Sequence, residues 1–426
     1  MPTRTLRRPL LLAALTATVA WAQTAPAPVT PAPACQARVV ALPDDPQTQQ
    51  LSAAQRGQLM TAFFNDVQSR YLDPSFGGFD WKTQAELTRR RALAAKSDAL
   101  FYAELRNLVN RVGDGHFAFL SPKEAQLEDR QSRGEAAPYG GVGLSVAPGD
   151  GVLTVSQVFP GAPAEQAGIL TGDVITGVDG QDCPSTDQIR GAVGTPVTLT
   201  LRRAGGAPRQ VKLQRAQVSL PPVTVTAQRL AADPSVGYLR FDSFFRTGIA
   251  GAVQDKLKTL LQGPRLRALV IDLRLNGGGF VDEGERFLGN FVQGRQGTRV
   301  DRAGHEDPIV IRAGPLSAQL AGVRLALLVG PGTASMGEIT GAILQQARSA
   351  TVLGQGTAKL TSNYVPVDLP FGARVHLTDV DVFLLGGKRL GARGVVPDIS
   401  RPLAASQPAD QDPLVARALQ ALGARR

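Results

Sequence analysis

Ser335 stands where chemistry could begin. It follows the apolar run Leu325-Ala326-Leu327-Leu328-Val329, a buried-type strand, and opens a helical pattern reaching about Ala347. A helix N-terminus offers unpaired N–H groups and a positive dipole end, which favour negative charge on an attacking oxygen. The same place also suits a plain N-cap, the commonest task of such a serine. A second buried-type run, Ala268-Leu269-Val270-Ile271-Asp272-Leu273, leads into Asn276-Gly277-Gly278-Gly279, a loop whose backbone can approach another molecule closely.

A serine hydroxyl needs a base. Neutral lysine can serve where burial lowers its pKa. After Ser335 the chain holds only Lys359 and Lys388. Lys388 lies in the polar turn Gly386-Gly387-Lys388-Arg389, whereas Lys359 follows the strand-like run 350–354. Of the three histidines, His305 sits beside Glu306 and Asp307 in a polar loop, and His376 in a strand-like run. His116 ends the turn-rich corner Gly113-Asp114-Gly115-His116. No His-Glu-x-x-His, cysteine pair or acidic cluster has metal spacing. No Lys-Ser/Thr pair follows the glycines as a phosphate loop requires. No metal and no cofactor is expected.

The elements that must position these residues fall into three textures. Residues 52–120 are helical, with Leu59, Phe63, Val67 and Tyr71 at helical spacing. Residues 121–138 are polar and Gly/Pro-containing, as a linker is. Residues 140–213 are β, with strand runs at 152–155 and 197–201 between Gly/Pro/Asp clusters. After Pro221-Pro222 strands alternate with helices, including a strand at 237–241 and a helix at 249–262, so a layered α/β domain is expected.

At 426 residues the chain is too long for one ordinary core. Its net charge of +10 is scattered, with Arg89-Arg90-Arg91 the densest run, so no nucleic-acid partner is expected. Arg4, Arg7 and Arg8, the apolar stretch from Pro9 to Val19 and Ala20-Trp21-Ala22 read as a signal peptide over 1–22. Its removal leaves about +7 and no integral membrane segment. Export to the periplasm or the cell exterior follows, with association to the cell envelope left open. Residues 23–51 begin as a stiff Pro/Ala tether. Cys35 lies in that linker and Cys183 in a polar loop; neither has the setting of a nucleophile, and their pairing stays open.

Gly140-Gly141-Val142-Gly143-Leu144, Phe159-Pro160-Gly161-Ala162-Pro163-Ala164, Gly172-Asp173-Val174-Ile175 and Val178-Asp179-Gly180 together resemble a PDZ domain of the bacterial protease type. Gly141 and Gly143 let successive N–H groups point at one carboxylate. The strand from Leu144 offers an edge to an extended peptide, with Leu144 and Val146 lining a pocket for its last apolar side chain.

With the blocks 270–279, Pro331-Gly332-Thr333-Ala334-Ser335-Met336-Gly337-Glu338, 354–359 and Gly394-Val395-Val396-Pro397-Asp398, the chain resembles the carboxyl-terminal processing peptidases, a Ser/Lys group. The resemblance implies a crotonase-like α/β peptidase core with an N-terminal helical segment and an inserted PDZ domain. The divisions are 52–136 (helical), 137–216 (PDZ) and 217–426 (peptidase core). It also implies Ser335 as nucleophile, Lys359 as base and Asn363 as its support. Met336 and a glycine of the loop, Gly278 or Gly279, become oxyanion donors. Two departures stand out: Thr357-Ala358-Lys359 is one residue shorter than the family's Thr-Phe-Gly-Lys, and Asn363 replaces a glutamine. In tricorn-like relatives a histidine near His116 serves the serine, with a glutamate that Gly391-Ala392-Arg393 lacks.

The expected activity is proteolysis of polypeptides presenting a free C-terminus, with homo-oligomerisation open. Two other classes remain: an inactive PDZ scaffold, and a tricorn-like hydrolase or esterase on the same core.

Overall fold

The computed structural model describes residues 50–135, 138–149, 151–203, 206–219, 224–403 and 407–424. The signal segment, the Pro/Ala tether and Cys35 lie outside them. Cys183 is disulfide-bonded and offers no free thiol. No helix among the described residues is long and apolar enough to cross a membrane.

The centre is a six-stranded sheet. Its order is Val225–Leu230, Asp233–Phe241, Ala268–Asp272, Arg324–Val329, Thr351–Gly354 and Ile399–Ser400. The first pair is antiparallel and the rest are parallel. Ala268–Asp272 is buried at every position because both faces are covered. Leu269 and Ile271 enter one core with the helices Ile249–Leu261 and Met336–Arg348. Ala268 and Val270 enter the opposite core, under the helix Pro413–Ala424.

A second sheet holds Ala118–Leu120, Arg374–Leu384, Gly294–Asp301 and Glu306–Ile311, with Asn363–Asp368 paired to Arg374–Leu384. The helices Ala53–Arg70, Trp81–Leu93 and Asp98–Asn110 pack on it, so Phe63, Phe101 and Leu105 share a core with Val375 and Leu377. The N-terminal helices therefore belong to the body built by the C-terminal half.

Between these parts lies a third sheet, in the order Leu144–Gly149, Val152–Val158, Val174–Val178, Pro196–Arg202 and Arg209–Gln214. Tyr139–Gly141 and Ala216–Val218 pair antiparallel, bringing entry and exit of this module side by side, as an insertion requires. It rests on the body through Ser156, beside Gly332, and through Asp187, 3.5 Å from Arg106 Nε.

One expected linker is structured. Pro122–Ser132 is a helix, with Pro122 at its first position and the Ser121 N–H donating to Glu124 Oε2 at 2.9 Å. Ala125 is its one buried residue, so no apolar stripe announced it. The capping pair Ser121 and Glu124 was the available signal.

A buried ion group joins the central sheet to the last helix. Arg274 Nε and Nη2 donate to Asp272 at 2.9 and 2.5 Å, Tyr238 donates to it at 2.7 Å, and Arg274 Nη2 lies 2.6 Å from Asp412. Burial opposes ionisation of Asp272, but Arg274 and Tyr238 outweigh it and hold the carboxyl below its usual pKa. Its folded pKa being depressed, Asp272 contributes stability above the ordinary value of 3.8 and loses it as pH falls through the folded value. Asp272→Asn should cost about 3–5 kcal/mol near neutrality, because Arg274 loses a buried partner. In urea unfolding, the gap between variant and parent should narrow as pH drops below about 4.

Candidate active site

Parallel register carries the two functional loops to one end of the sheet. Asp272 lies opposite Leu328, so the chain leaving Ala268–Asp272 and the chain leaving Arg324–Val329 emerge together. The Ala334 N–H donates to Asn276 O at 3.0 Å, and Thr333 Oγ1 to Leu273 O at 2.7 Å. These bonds fasten the glycine loop to the turn before Ser335.

Ser335 has φ 52° and ψ −124°. An ordinary N-cap is extended with negative φ, so this is a strained elbow and not a routine helix start. The strain is held from two sides. The Ser335 N–H donates to Glu338 Oε2 at 3.0 Å. Opposite, Gly278 takes φ 88°, and a Cβ on it would come within 2.6 Å of Ser335 Cβ and 2.9 Å of Met336 N. Only glycine lets the loop approach so closely.

The oxyanion candidates separate on their hydrogen bonds. The Gly278 N–H already donates to Asn276 Oδ1 at 3.0 Å, so it is engaged within the loop. The Met336 and Gly279 N–H groups have no acceptor among the described residues. These two remain to receive a developing oxyanion. Asn276, fully buried, also donates to Phe241 O at 3.2 Å. Sequence reasoning left its side chain out, although an asparagine opening a glycine loop is well placed to tie such a loop.

Glu338 is the second residue that sequence reasoning left without a role. It is fully buried. Its carboxylate accepts from Ser335 N, from Thr357 Oγ1, from Lys359 N at 2.9 Å and from Leu360 N at 2.8 Å. Burial raises its pKa, and these four donors work against the rise.

Lys359 is thereby anchored by its backbone beside the serine turn. Its side chain is exposed, its φ is 65°, and it does not line the cavity that Ser335 lines. The buried amine expected from the sequence is not formed in this conformation. The Glu338 carboxylate takes the N–H groups of both Lys359 and Leu360 and fixes the backbone there. Lys388 is exposed in its turn.

Ser335 opens on a cavity of about 380 Å3. Gly279, Phe245, Phe280 and Val281 line it, the two phenyl rings 4.9 Å apart. Asn363, Tyr364, Glu128 and Arg374 line it as well. Ser335, Gly279 and Asn363 are thus brought together. His116 is buried behind Tyr364, 5.3 Å between rings. Burial lowers its pKa despite the nearby Asp114. Asp114 organises this corner by accepting from His116 N at 2.9 Å, Tyr71 OH at 2.8 Å and Thr378 Oγ1 at 2.6 Å.

In the inserted module, Leu144–Gly149 is an edge strand, paired on one side only with Val152–Val158. Gly143 takes φ 79°, and a Cβ there would meet Ala162 Cβ at 2.1 Å. Gly141 stays in its strand opposite Ala216. The Val142 side chain is buried in the module's core, which leaves its backbone for recognition. Leu144 and Val146 are half-buried against that core. No described carbonyl accepts from the Val142 or Gly143 N–H.

The four bonds to Glu338 set an expectation. Glu338→Gln turns one acceptor oxygen into a donor facing donors. It should cost about 1–3 kcal/mol for each N–H or O–H left unpaired. Thermal unfolding and peptidase assay should fall together, and an unchanged midpoint would remove Glu338 from this role.

Comparison with known proteins bears on the whole arrangement. Residues 235–401 match the model of peptidase family S41, and residues 154–203 match a PDZ domain model. The C-terminal processing peptidase of Tetradesmus obliquus chloroplasts is 30% identical over 357 residues, 78% of this chain and 74% of that one. The carboxy-terminal-processing protease of Bartonella bacilliformis is 28% identical over 299 residues, 67% of this chain and 66% of the relative. The chain thus spans about two thirds to three quarters of the length of these relatives. The solved photosystem II D1 C-terminal processing protease superposes with TM-score 0.60 at 26% identity, over 82% of this chain and 94% of that one. Mature CPAF in complex with lactacystin shares the fold at TM-score 0.53 and 13% identity, over 87% and 98% of the two chains. An elbow serine beside a glycine loop, a PDZ module inserted in a layered α/β body and these likenesses agree, and the chain belongs to the carboxyl-terminal processing peptidases of family S41.

Proposed function

We propose that this protein is an exported serine endopeptidase that captures the C-terminal tails of polypeptides with its PDZ module and cleaves them with Ser335 and Lys359. The observation that carries the reading is the strained Ser335 elbow, with two uncommitted N–H groups, Met336 and Gly279, at the same cavity. In the reaction the Ser335 hydroxyl attacks the scissile carbonyl and passes its proton to the base. The oxyanion is held by the two N–H groups, an acyl-enzyme forms with release of the amine, and water then frees the acid. Lys359 supplies the base by turning its exposed side chain toward the cavity, its backbone already fixed to the carboxylate that holds Ser335. Export rests on the sequence of residues 1–22.

Ser335→Ala should abolish cleavage of casein and labelling by a fluorophosphonate, with at most about 0.5–2 kcal/mol lost in stability. Retained cleavage would remove the serine from the mechanism. Lysine acts only as the neutral amine, so activity should climb on the alkaline side of neutrality. Lys359→Arg should be as inactive as Lys359→Ala, because guanidinium does not release its proton. A competing reading gives the base to His116, whose pKa is lowered by burial. That base would be neutral already below the ordinary histidine value of about 6.5, which moves the rise to the acid side. An active Lys359→Ala beside a folded, dead His116→Ala selects it.

The free edge at Leu144–Gly149 and the unpaired Val142 and Gly143 N–H groups support tail capture. Peptides ending in an apolar residue with a free carboxylate should bind more tightly than their amides, measured by calorimetry on Ser335→Ala. Equal affinities would rule out carboxylate recognition.

A further inference from the structure

The strand Asn363–Asp368 borders the cavity that Ser335 lines. Tyr364, Pro366 and Asp368 line it at alternate positions, as one face of a strand does. Asn363 lines it too, although it neighbours Tyr364. The ladder accounts for this. Asn363 lies opposite Val380 and Tyr364 opposite Thr378, which leaves Asp379 unmatched. A slip of this kind breaks the alternation and re-aims side chains, and such bulges gather beside active sites.

The Tyr364 ring packs against two imidazoles. His376 stacks on it at 4.5 Å with 29° between planes, and His116 lies at 5.3 Å with 37°. His376 is itself held 3.0 Å from Glu128 Oε1. A ring fixed in this way has little rotamer freedom left to lose when a ligand arrives. Its hydroxyl makes no hydrogen bond among the described residues. Burial, with Glu128 adding to it, pushes the phenol up to about 12. The group is therefore held as a neutral donor with no described acceptor, on the wall of the cavity where a ligand can reach it.

We propose that Tyr364 is a substrate-binding residue of the peptidase cleft, whose hydroxyl donates a hydrogen bond to a backbone carbonyl of the bound peptide. This rests on Ser335 being the nucleophile, since the cavity is then the substrate's. The donor fits an extended peptide, which presents a carbonyl to a given side at every second residue. It does not depend on side-chain identity. The packing of His116 and His376 on the ring also gives the Asp114–His116 corner a place in function, as the support of a binding residue.

Tyr364→Phe keeps the ring and its packing and deletes only the hydroxyl. Its kcat/KM should be measured on an internally quenched octapeptide and on p-nitrophenyl acetate, an ester with no peptide carbonyl beyond the reacting one. The peptide-to-ester ratio should fall about ten- to a hundredfold, carried by KM. General damage to the site would lower both rates together and leave the ratio where it was. A ratio within twofold of the parent overturns the assignment. Ser335→Ala, assayed in parallel, separates this from the underlying reading. If it still cleaves the octapeptide, the nucleophile is wrong and the Tyr364 assignment falls with it. If it is dead while Tyr364→Phe keeps the parent ratio, the assignment to Tyr364 alone is wrong.

Discussion

The buried carboxylate of Glu338 is the point from which the site hangs. Four donors meet on its two oxygens: the Ser335 and Lys359 N–H groups, the Leu360 N–H and the Thr357 hydroxyl. An unpaired buried carboxylate costs several kcal/mol, so the group tolerates burial only because all four donors are present. It also lies in the first turn of the helix Met336–Arg348, where the dipole favours negative charge. Remove the carboxylate and both the serine elbow and the lysine segment lose their tether. Gly394 closes over the arrangement: a Cβ there would lie 2.6 Å from Glu338 Oε1 and 2.4 Å from Thr357 Oγ1. Two further bonds seal the block that follows, Val395 N to Thr357 Oγ1 at 2.9 Å and Val352 N to Asp398 Oδ2 at 2.8 Å.

The parallel sheet supplies what the carboxylate cannot, the meeting of two loops distant in sequence. Ligand sites of open α/β sheets lie beyond the carboxyl ends of the strands, and here both loops leave those ends in register. Full burial of Ala268–Asp272 fixes that register, because a slip by one residue would exchange the two cores between which its side chains alternate.

Much of this was legible because it is written in local pattern. The apolar runs 268–273 and 325–329 read as doubly covered strands, and in the glycine loop that follows the first, Gly278 and Gly279 do mark close approach, whereas Gly277 does not. The PDZ segment was readable from the order of its turns. Three things were not. The helix Pro122–Ser132 buries one residue, so it has caps but no stripe. The strand Asn363–Asp368 carries Pro366 and an exposed face, and its slip depends on a partner strand through Asp379, which no local pattern encodes. The placement of Lys359 follows the two bonds from its own N–H and that of Leu360 to Glu338, a tertiary fact.

These features divide the site into a rigid half and a half yet to be assembled. The elbow, the loop and the two free N–H groups are overdetermined by Glu338, Asn276 and the absence of a Cβ at Gly278. Electrostatic stabilisation of an oxyanion works best from such fixed dipoles, because nothing has to reorganise as charge develops. A base that must be neutral has the opposite requirement. Lys359, the base proposed above, is exposed and does not line the Ser335 cavity, so it has to move to reach the serine. On that proposal the elbow and the loop are preformed, and the lysine completes the machinery only by moving toward the cavity.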